Sequence, residues 1–457
     1  MKHFSKKIHL VGIGGAGMCP LAEVLHSRGH HLTGSDRQKS AATERLEAMG
    51  IKVQYDHSPE LVKESQLVVY SSAIREDNPE RVYAVQNGIP CIRRAEVLGE
   101  LMRAHFAVCI SGTHGKTTTT TLAGAVFQDA GLSPVVLVGG VIRGIETHAV
   151  SGSGNIMIAE ADEFDRSFLA MYPTIAVITN IEADHLDCYG TLENIKDAFV
   201  SFTKRVPFFG AVVACKEDPV VRDILPLIKE TVITYGLSSD CDYSAAEITY
   251  NSGKPSFEVY RNGTALGRIC LEIPGLHNVL NSLAVVAVAD KTGIPFETIK
   301  DSLSRCQGVR RRFEIVGQVK GITVIDDYAH HPGEIKATID AARKSGYKRI
   351  VAVFQPHLYS RTKDLIDGFV SSLSSADTVF VTGIYKAREE PIPNVTSETI
   401  VKRLVSENHN SAIYVNDTAS LIPVLRNKIN CGDAVIMMGA GDIWKSAAEL
   451  VEVLSHE

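Results

Sequence analysis

Tryptophan occurs once in the 457 residues, and the nine cysteines include no Cys-x-x-Cys pair. An odd, scattered set of thiols fits neither a disulfide framework nor a zinc site, so reduced cysteines are expected. Apolar runs such as Ala434 to Met438 fall far short of the ~20 residues that cross a bilayer. No membrane insertion is expected, and such runs read as buried strands. No polybasic tract accompanies the formal charge of −6, which argues against a nucleic-acid partner. Lys2, Lys6 and Lys7 lead into Gly12, Gly14, Gly15 and Gly17 and not into an apolar signal core, so a cytoplasmic location is expected. Internal repeats and low-complexity segments are also missing.

What is present is close to the globular average, with 45% hydrophobic and 22% charged residues, which excludes disorder as the main state. At ~150 residues per domain the length suits about three domains. β-Branched runs alternate with helical patterns nearly throughout, the mark of α/β units with parallel sheets. Three segments look like fresh starts, each a short apolar strand followed by a glycine-rich or polar turn that opens a helix: 8–17, 108–118 and 322–332. Residues 92–105 read as a helical connector. Domain limits are therefore expected at 1–105, 106–313 and 314–457. Within the middle domain, 243–273 reads as an antiparallel addition to the sheet, with Asn251-Ser252-Gly253 and Asn262-Gly263 as turns.

In the first domain Gly12-Ile13-Gly14-Gly15-Ala16-Gly17 follows the strand Ile8-His9-Leu10-Val11 and precedes a helix with Pro20 in its first turn. Glycines in this setting let backbone N–H groups approach a diphosphate. Asp36, at the end of the next strand after Ser35, is placed to meet ribose hydroxyls, which taken alone reads as NAD. The same physics binds any nucleotide diphosphate, because loop and helix terminus recognise phosphate charge and not the base. A bland use also exists, glycines for a tight turn.

The second loop, Gly112-Thr113-His114-Gly115-Lys116-Thr117-Thr118, leaves the strand Val108-Cys109-Ile110-Ser111 and opens a helix to about Ala130. This is phosphate-loop chemistry: backbone amides and Lys116 for phosphates, the Thr117 hydroxyl for Mg²⁺. Ile110 stands where the general pattern has its first glycine, so the loop is shorter. Acids follow at two later strand ends, Glu160-Ala161-Asp162-Glu163 and Glu182-Ala183-Asp184-His185. Glu160 is the candidate magnesium ligand, since a hard cation takes oxygen donors, and His185 a candidate for a second cation. Solvated carboxylates and a structural histidine are the plainer alternatives.

A third cluster, Asp326-Asp327-Tyr328-Ala329-His330-His331-Pro332, sits at one strand-to-helix turn, with Ser360-Arg361-Thr362 after another apolar strand. Arg361 is expected to meet the cluster across adjacent strand ends, where its guanidinium suits a carboxylate. A helix cap with incidental histidines is the alternative.

In this order the Gly12 loop, Gly-Thr-His-Gly-Lys-Thr-Thr-Thr-Thr from 112, Glu-Ala-Asp-Glu from 160, Asn-Ile-Glu-Ala-Asp-His-Leu-Asp from 180, Gly-Leu-His-Asn from 275 and Asp-Asp-Tyr-Ala-His-His-Pro from 326 resemble the Mur ligase family along essentially the whole chain. The resemblance implies an α/β protein of three domains. These are an N-terminal Rossmann-like unit for a UDP-sugar, a central P-loop ATPase with a mostly parallel sheet plus a small antiparallel sheet, and a C-terminal Rossmann-like unit completing the ATP and amino-acid sites. The first loop then reads as a UDP loop, with Gly12, Gly14, Gly15, Ala16, Gly17, Ser35, Asp36, Ser71 and Ser72 on the nucleotide sugar. ATP falls to Gly112 through Thr118, to His277, Asn278 and Asn281, and to Arg312, Asp326 and Asp327. Magnesium falls to Thr117, Glu160 and His185, and the amino acid to Tyr328, His330 and Arg361.

The implied reaction is the ATP-driven joining of L-alanine to the lactyl carboxylate of UDP-N-acetylmuramate through an acyl phosphate, for peptidoglycan precursor synthesis. Lys116, His185, His330 and Arg361 would be its catalytic groups. Two positions depart from the family's pattern: Cys19-Pro20 stands where Ser-Gly is expected, and Leu358 where many relatives carry Arg. Neither removes a catalytic group. Competing readings are a recycling ligase that adds a tripeptide to the same nucleotide, an NAD-dependent dehydrogenase built on the first loop, and a nucleotide-switched binding protein. The Gln355 to Thr362 segment favours the single amino acid, whose carboxylate calls for an arginine.

Overall fold

The strand Ile322–Asp327 is buried along its entire length, as a parallel strand must be when helices cover both faces of its sheet. The computed structural model describes residues 6–145, 147–387 and 389–456. Three sheets carry the chain. In the first, strands run in the order 52–54, 31–35, 7–11, 67–70, 91–93, and its pairings are parallel. The central sheet runs 264–270, 254–261, 243–251, 232–236, 211–215, 175–178, 106–111, 156–160, 135–142, 147–151. The third runs 314–319, 322–327, 433–438, 349–354, 378–381, 412–414, parallel except for its first pair.

The strand order explains why the glycine loops lie where they do. Lys7–Val11 is flanked by strands 31–35 and 67–70, and Phe106–Ser111 by strands 175–178 and 156–160. Each is the point where the connections turn to opposite sides, which leaves a crevice at the carboxyl end of the strand. Gly12 and Gly112 begin in those crevices. The predicted hairpins are present, with left-handed backbone at Ser252-Gly253 and Asn262-Gly263, the twist that two-residue hairpin turns require. One expectation needs correction: Ile92 and Arg93 are not helical but belong to the edge strand Cys91–Arg93, in register with Val69 and Tyr70. A half-buried β-branched Ile92 beside an open sheet edge gains more from pairing than from helix. The helix begins at Arg94.

The chain divides into two compact units. One comprises Met1–Ala246, Glu258–Ile269 and Leu280–Cys306, the other Glu247–Phe257, Cys270–Val279 and Gln307–Glu457. In the first, a continuous core joins the sheet face at Ile8 and Leu10 to Phe168, Phe199 and Phe202, where Phe168 stacks on Phe202 at 4.8 Å and meets Phe199 edge-on at 5.2 Å. In the second, alternate strand residues feed separate cores: Ile325 and Phe354 on one face, Val324 and Val353 on the other. All nine cysteines are free, and no described helix is long and apolar enough to cross a membrane.

Local caps fix the helices that matter for the site. Asn78 accepts from the amides of Glu80 and Arg81 at 3.0 and 3.3 Å, with Pro79 at the first helical position. Pro332 opens Pro332–Lys344, where Glu334 accepts from the His330 and His331 amides at 3.0 and 3.3 Å. Gly99, midway along the helix Arg94–Met102, packs so closely on the turn Phe164–Ala170 that a β-carbon would collide with the Ala170 carbonyl. Backbone cannot yield as a flexible side chain can. Gly99→Ala should therefore cost about 1–3 kcal/mol of stability, read as a lower urea midpoint; an unchanged midpoint would show that the helix and turn are not held this tightly.

Candidate functional site

The phosphate loop is shaped by the protein's own contacts. Gly112 and Gly115 have φ of +132° and +83°, conformations open to glycine and strained for other residues. Thr179 Oγ1 and Asn180 Nδ2 both donate to the His114 carbonyl, at 2.6 and 3.0 Å, while the His114 amide donates to Asn180 Oδ1 at 2.8 Å. The Glu182 amide donates to Thr113 Oγ1 at 2.9 Å. Asn281, expected at the adenine, also closes on the loop: a β-carbon on Gly115 would lie 2.6 Å from its Oδ1. His277 and Asn278 lie in the first turn of the same helix, Leu276–Lys291, and Asn278 donates to the Pro274 carbonyl at 2.7 Å.

Lys116 Nζ lies inside this loop. It donates to the Gly112 carbonyl at 2.5 Å and to both oxygens of Glu163 at 2.8 and 3.0 Å. Burial alone would lower its pKa, but the charges of Glu163 and Asp162 raise it, so the ammonium stays charged. Thr118 follows in the helix Lys116–Asp129. Thr117 Oγ1 donates to Glu160 Oε2 at 3.3 Å, and the Gly139 amide donates to Glu160 Oε1 at 2.6 Å. Two oxygen donors converging beside the phosphate loop suit a hard cation such as Mg²⁺, so these residues fit the ion. His185 makes different contacts: Asp184 at 3.7 Å and the ring of Phe164 edge-on at 5.1 Å.

At the first loop, Gly12 and Ile13 donate to the Ser35 carbonyl at 2.8 and 2.9 Å. The Ser35 hydroxyl donates to buried Glu80 at 2.6 Å, and His9 pairs with the same carboxylate at 2.8 Å. Burial would raise the Glu80 pKa, yet the hydrogen bonds from His9 and Ser35 leave it lowered. Asp36 accepts from the Gly14 amide at 2.8 Å and from the Arg37 amide at 2.7 Å. Ser35 and Asp36 thus hold the loop itself. Ser71, Ser72, Gly15, Ala16 and Gly17 line a cavity of about 310 Å³ that also reaches Glu160 and Asp162. Arg94, which pattern reading passed over, lines it too.

In the second unit, Arg311 donates to Asp326 at 3.2 Å and to the Gly439 carbonyl at 2.7 Å. Both oxygens of Asp327 accept backbone amides, from Phe313 and Ala329, each at 2.8 Å. Arg312 donates to Glu334 at 3.3 Å. Arg361 does not sit across adjacent strand ends as expected, because strand 433–438 lies between 322–327 and 349–354. It reaches the cluster through His357 instead: Arg361 Nη1 is 3.5 Å from His357 Nδ1, and the His357 ring is 6.0 Å from that of His330. His330 in turn meets Tyr328 edge-on at 5.3 Å. Leu358 has φ of +70°, a strained value for a branched side chain. It is the turn that swings Arg361 onto the helix Tyr359–Asp364.

Asp326 supplies a pH-dependent signature. Burial pushes its pKa up from 3.8 to about 6 against the pull of Arg311, and its Oδ1 is buried with no hydrogen-bond partner among the described residues. The folded state keeps this proton to higher pH than the unfolded chain, so its stabilising contribution is full below about pH 4 and lost as pH rises through 6. Asp326→Asn should remove that loss, flattening the pH dependence of unfolding free energy between pH 4 and 6 by up to about 3 kcal/mol. Urea titrations across this range test it; parallel profiles for both proteins would refute the shift.

Comparison with known proteins agrees with this arrangement. The chain matches the family models for the Mur ligase family catalytic domain over residues 7–106, the Mur ligase middle domain over 110–289 and the Mur ligase glutamate ligase domain over 311–441. It is 48% identical to a UDP-N-acetylmuramate–L-alanine ligase of Sorangium cellulosum, covering 96% of this chain and 94% of that one. With its counterpart in Geotalea uraniireducens it shares 45% identity over 99% of both. Among solved structures, UDP-N-acetylmuramate-alanine ligase from Thermotoga maritima superposes with a TM-score of 0.83, at 30% identity and 99% coverage of both chains. A murein peptide ligase from Psychrobacter arcticus shares the fold at a TM-score of 0.73, with 24% identity over 99% of both chains. The dehydrogenase reading finds no support in these relatives, and the acid it relied on is bonded to Gly14. With its motifs in order from end to end, this chain belongs to the Mur ligase family.

Proposed function

We propose that this protein joins L-alanine to the lactyl carboxylate of UDP-N-acetylmuramate at the expense of ATP, with Mg²⁺, as a cytoplasmic step of peptidoglycan precursor synthesis. The observation that carries the reading is one continuous cavity lined from Gly15, Ala16 and Gly17 through to Glu160, the carboxylate that meets Thr117 beside Lys116. A nucleotide sugar seated on the first loop extends its acid arm toward the phosphate loop.

The chemistry sets what each residue must do. A carboxylate resists attack by an amine because oxide is a poor leaving group. The substrate carboxylate therefore attacks the γ-phosphorus of ATP, ADP departs, and an acyl phosphate forms. The amine of alanine then attacks the acyl carbon, phosphate leaves, and the amine gives up a proton. Bringing two anions together demands neutralisation, which Lys116 and the loop amides supply at the phosphates. Thr117 and Glu160 would hold Mg²⁺, which when bound offsets further phosphate charge; His185 is assigned to a second cation.

In the second unit Arg361 is assigned to the alanine carboxylate, with Tyr328 and His330 alongside. The contact between His330 Nδ1 and the Tyr328 carbonyl, 3.0 Å, requires a proton on Nδ1, because a carbonyl only accepts. In the neutral ring the lone pair is then on Nε2, the atom suited to take the proton from the amine. His277, Asn278 and Asn281 are assigned to adenine, and Arg312 and Asp326 to ATP. Asp327, both of whose oxygens accept amides, acts by holding the turn.

Phosphate release from MgATP tests the proposal. Release should need UDP-N-acetylmuramate and L-alanine together and yield the ligated product by mass, and Lys116→Ala should lower turnover by about a hundredfold or more while nucleotide-sugar binding persists. Release with a tripeptide in place of alanine, or none with either, would overturn it.

A further inference from the structure

Arg94 is the first residue of the helix Arg94–Met102, directly after the edge strand of the first sheet. Its guanidinium lies against Gly17, where an added β-carbon would come within 2.8 Å of Cζ and Nη1. Gly17 itself has φ of −92°, a backbone that any residue adopts. Its lack of a side chain leaves room for the guanidinium where it lies, and a β-carbon there would push that flexible arm aside. The guanidinium lines the cavity with Gly15, Ser71, Ser72 and Asp162. Asp162 and Glu160 act on its charge, but among the described residues no hydrogen bond or ion pair uses its five donors. A planar cation with its donors unspent, pressed on the helix start at Ala16 and Gly17, is half of an anion site.

We propose that Arg94 grips the diphosphate of the nucleotide sugar from the side opposite the Ala16 and Gly17 amides, and that Gly17 makes room for that guanidinium. The inference rests on reading the first loop as the nucleotide-sugar site. Position selects the diphosphate over the lactyl carboxylate: Arg94 is in contact with the loop at Gly17, whereas the acid arm must extend to Glu160 and the phosphate loop. Clamped from both sides, the diphosphate fixes where the acid arm begins and so how far it reaches.

Calorimetric binding of UDP, and separately of UDP-N-acetylmuramate, to the full chain tests this. Arg94→Ala should weaken both ligands by the same factor, about tenfold or more, with the KM for ATP unchanged. Arg94→Lys keeps the charge without the fork and should fall between. Gly17→Ala should also weaken UDP binding, yet add no further loss when combined with Arg94→Ala, since the clash is then gone. That non-additivity is something a merely structural arginine would not produce. Unchanged UDP affinity in Arg94→Ala and Arg94→Lys would overturn the proposal, as would a loss confined to UDP-N-acetylmuramate, which would assign the arginine to the carboxylate. Failure of the unmutated protein to bind UDP at all would instead overturn the reading of the loop.

Discussion

The largely enclosed ammonium of Lys116, paired with the Glu163 carboxylate, organises the phosphate-loop end of the central sheet. Lys116 Nζ, bonded to both oxygens of Glu163 and to the Gly112 carbonyl, ties the phosphate loop to the acidic segment after strand Ile156–Glu160. Breaking such a pair by removing one partner costs about 3–5 kcal/mol, so loop and acids hold each other in place. Glu160 then stands beside Thr117, and Tyr189 reinforces the segment by donating to the Glu163 carbonyl at 2.6 Å. Glu163 thus serves as an internal anion. It keeps the lysine charged and in position where phosphates are proposed to bind.

The two glycine loops show how one local motif yields different sites. Both leave a central parallel strand at a point where the connections diverge, and both present amides at a helix start. The second draws its cation from its own sequence, Lys116. The first has none within the loop, and the cation set against it, Arg94, comes from the far edge of the same sheet. What each loop can hold is decided less by its glycines than by the charged side chain brought against them.

Much of this was legible in the sequence. The strand, glycine loop and helix order gave the sheets and their switch points, and Pro332 and the Asn-Gly turn fell where backbone chemistry requires them. What pattern reading could not reach were contacts set by tertiary packing. Asp36, spaced like a ribose-binding acid, instead accepts the Gly14 amide, a choice made by how the second strand ends beside the loop. Asn180 stands in the sequence only as one letter of a longer motif, yet its side chain makes paired bonds with the His114 backbone. His357 joins Arg361 to His330 because strand 433–438, far along the chain, inserts between their strands. Arg94 carries no local signal at all, only the absence of a β-carbon at Gly17.

These contacts hold the phosphate loop in one shape through the protein's own groups, with Asn180 and Lys116 as two fastenings. The affinity of the full chain for ATP in the presence of magnesium, measured with Asn180→Ala, tests this most directly. A preformed loop predicts about tenfold or greater weakening of ATP, with UDP affinity unchanged because the first loop has its own supports. ATP affinity equal to that of the unmutated protein would contradict it, and would mean that the nucleotide, not the protein, shapes the loop.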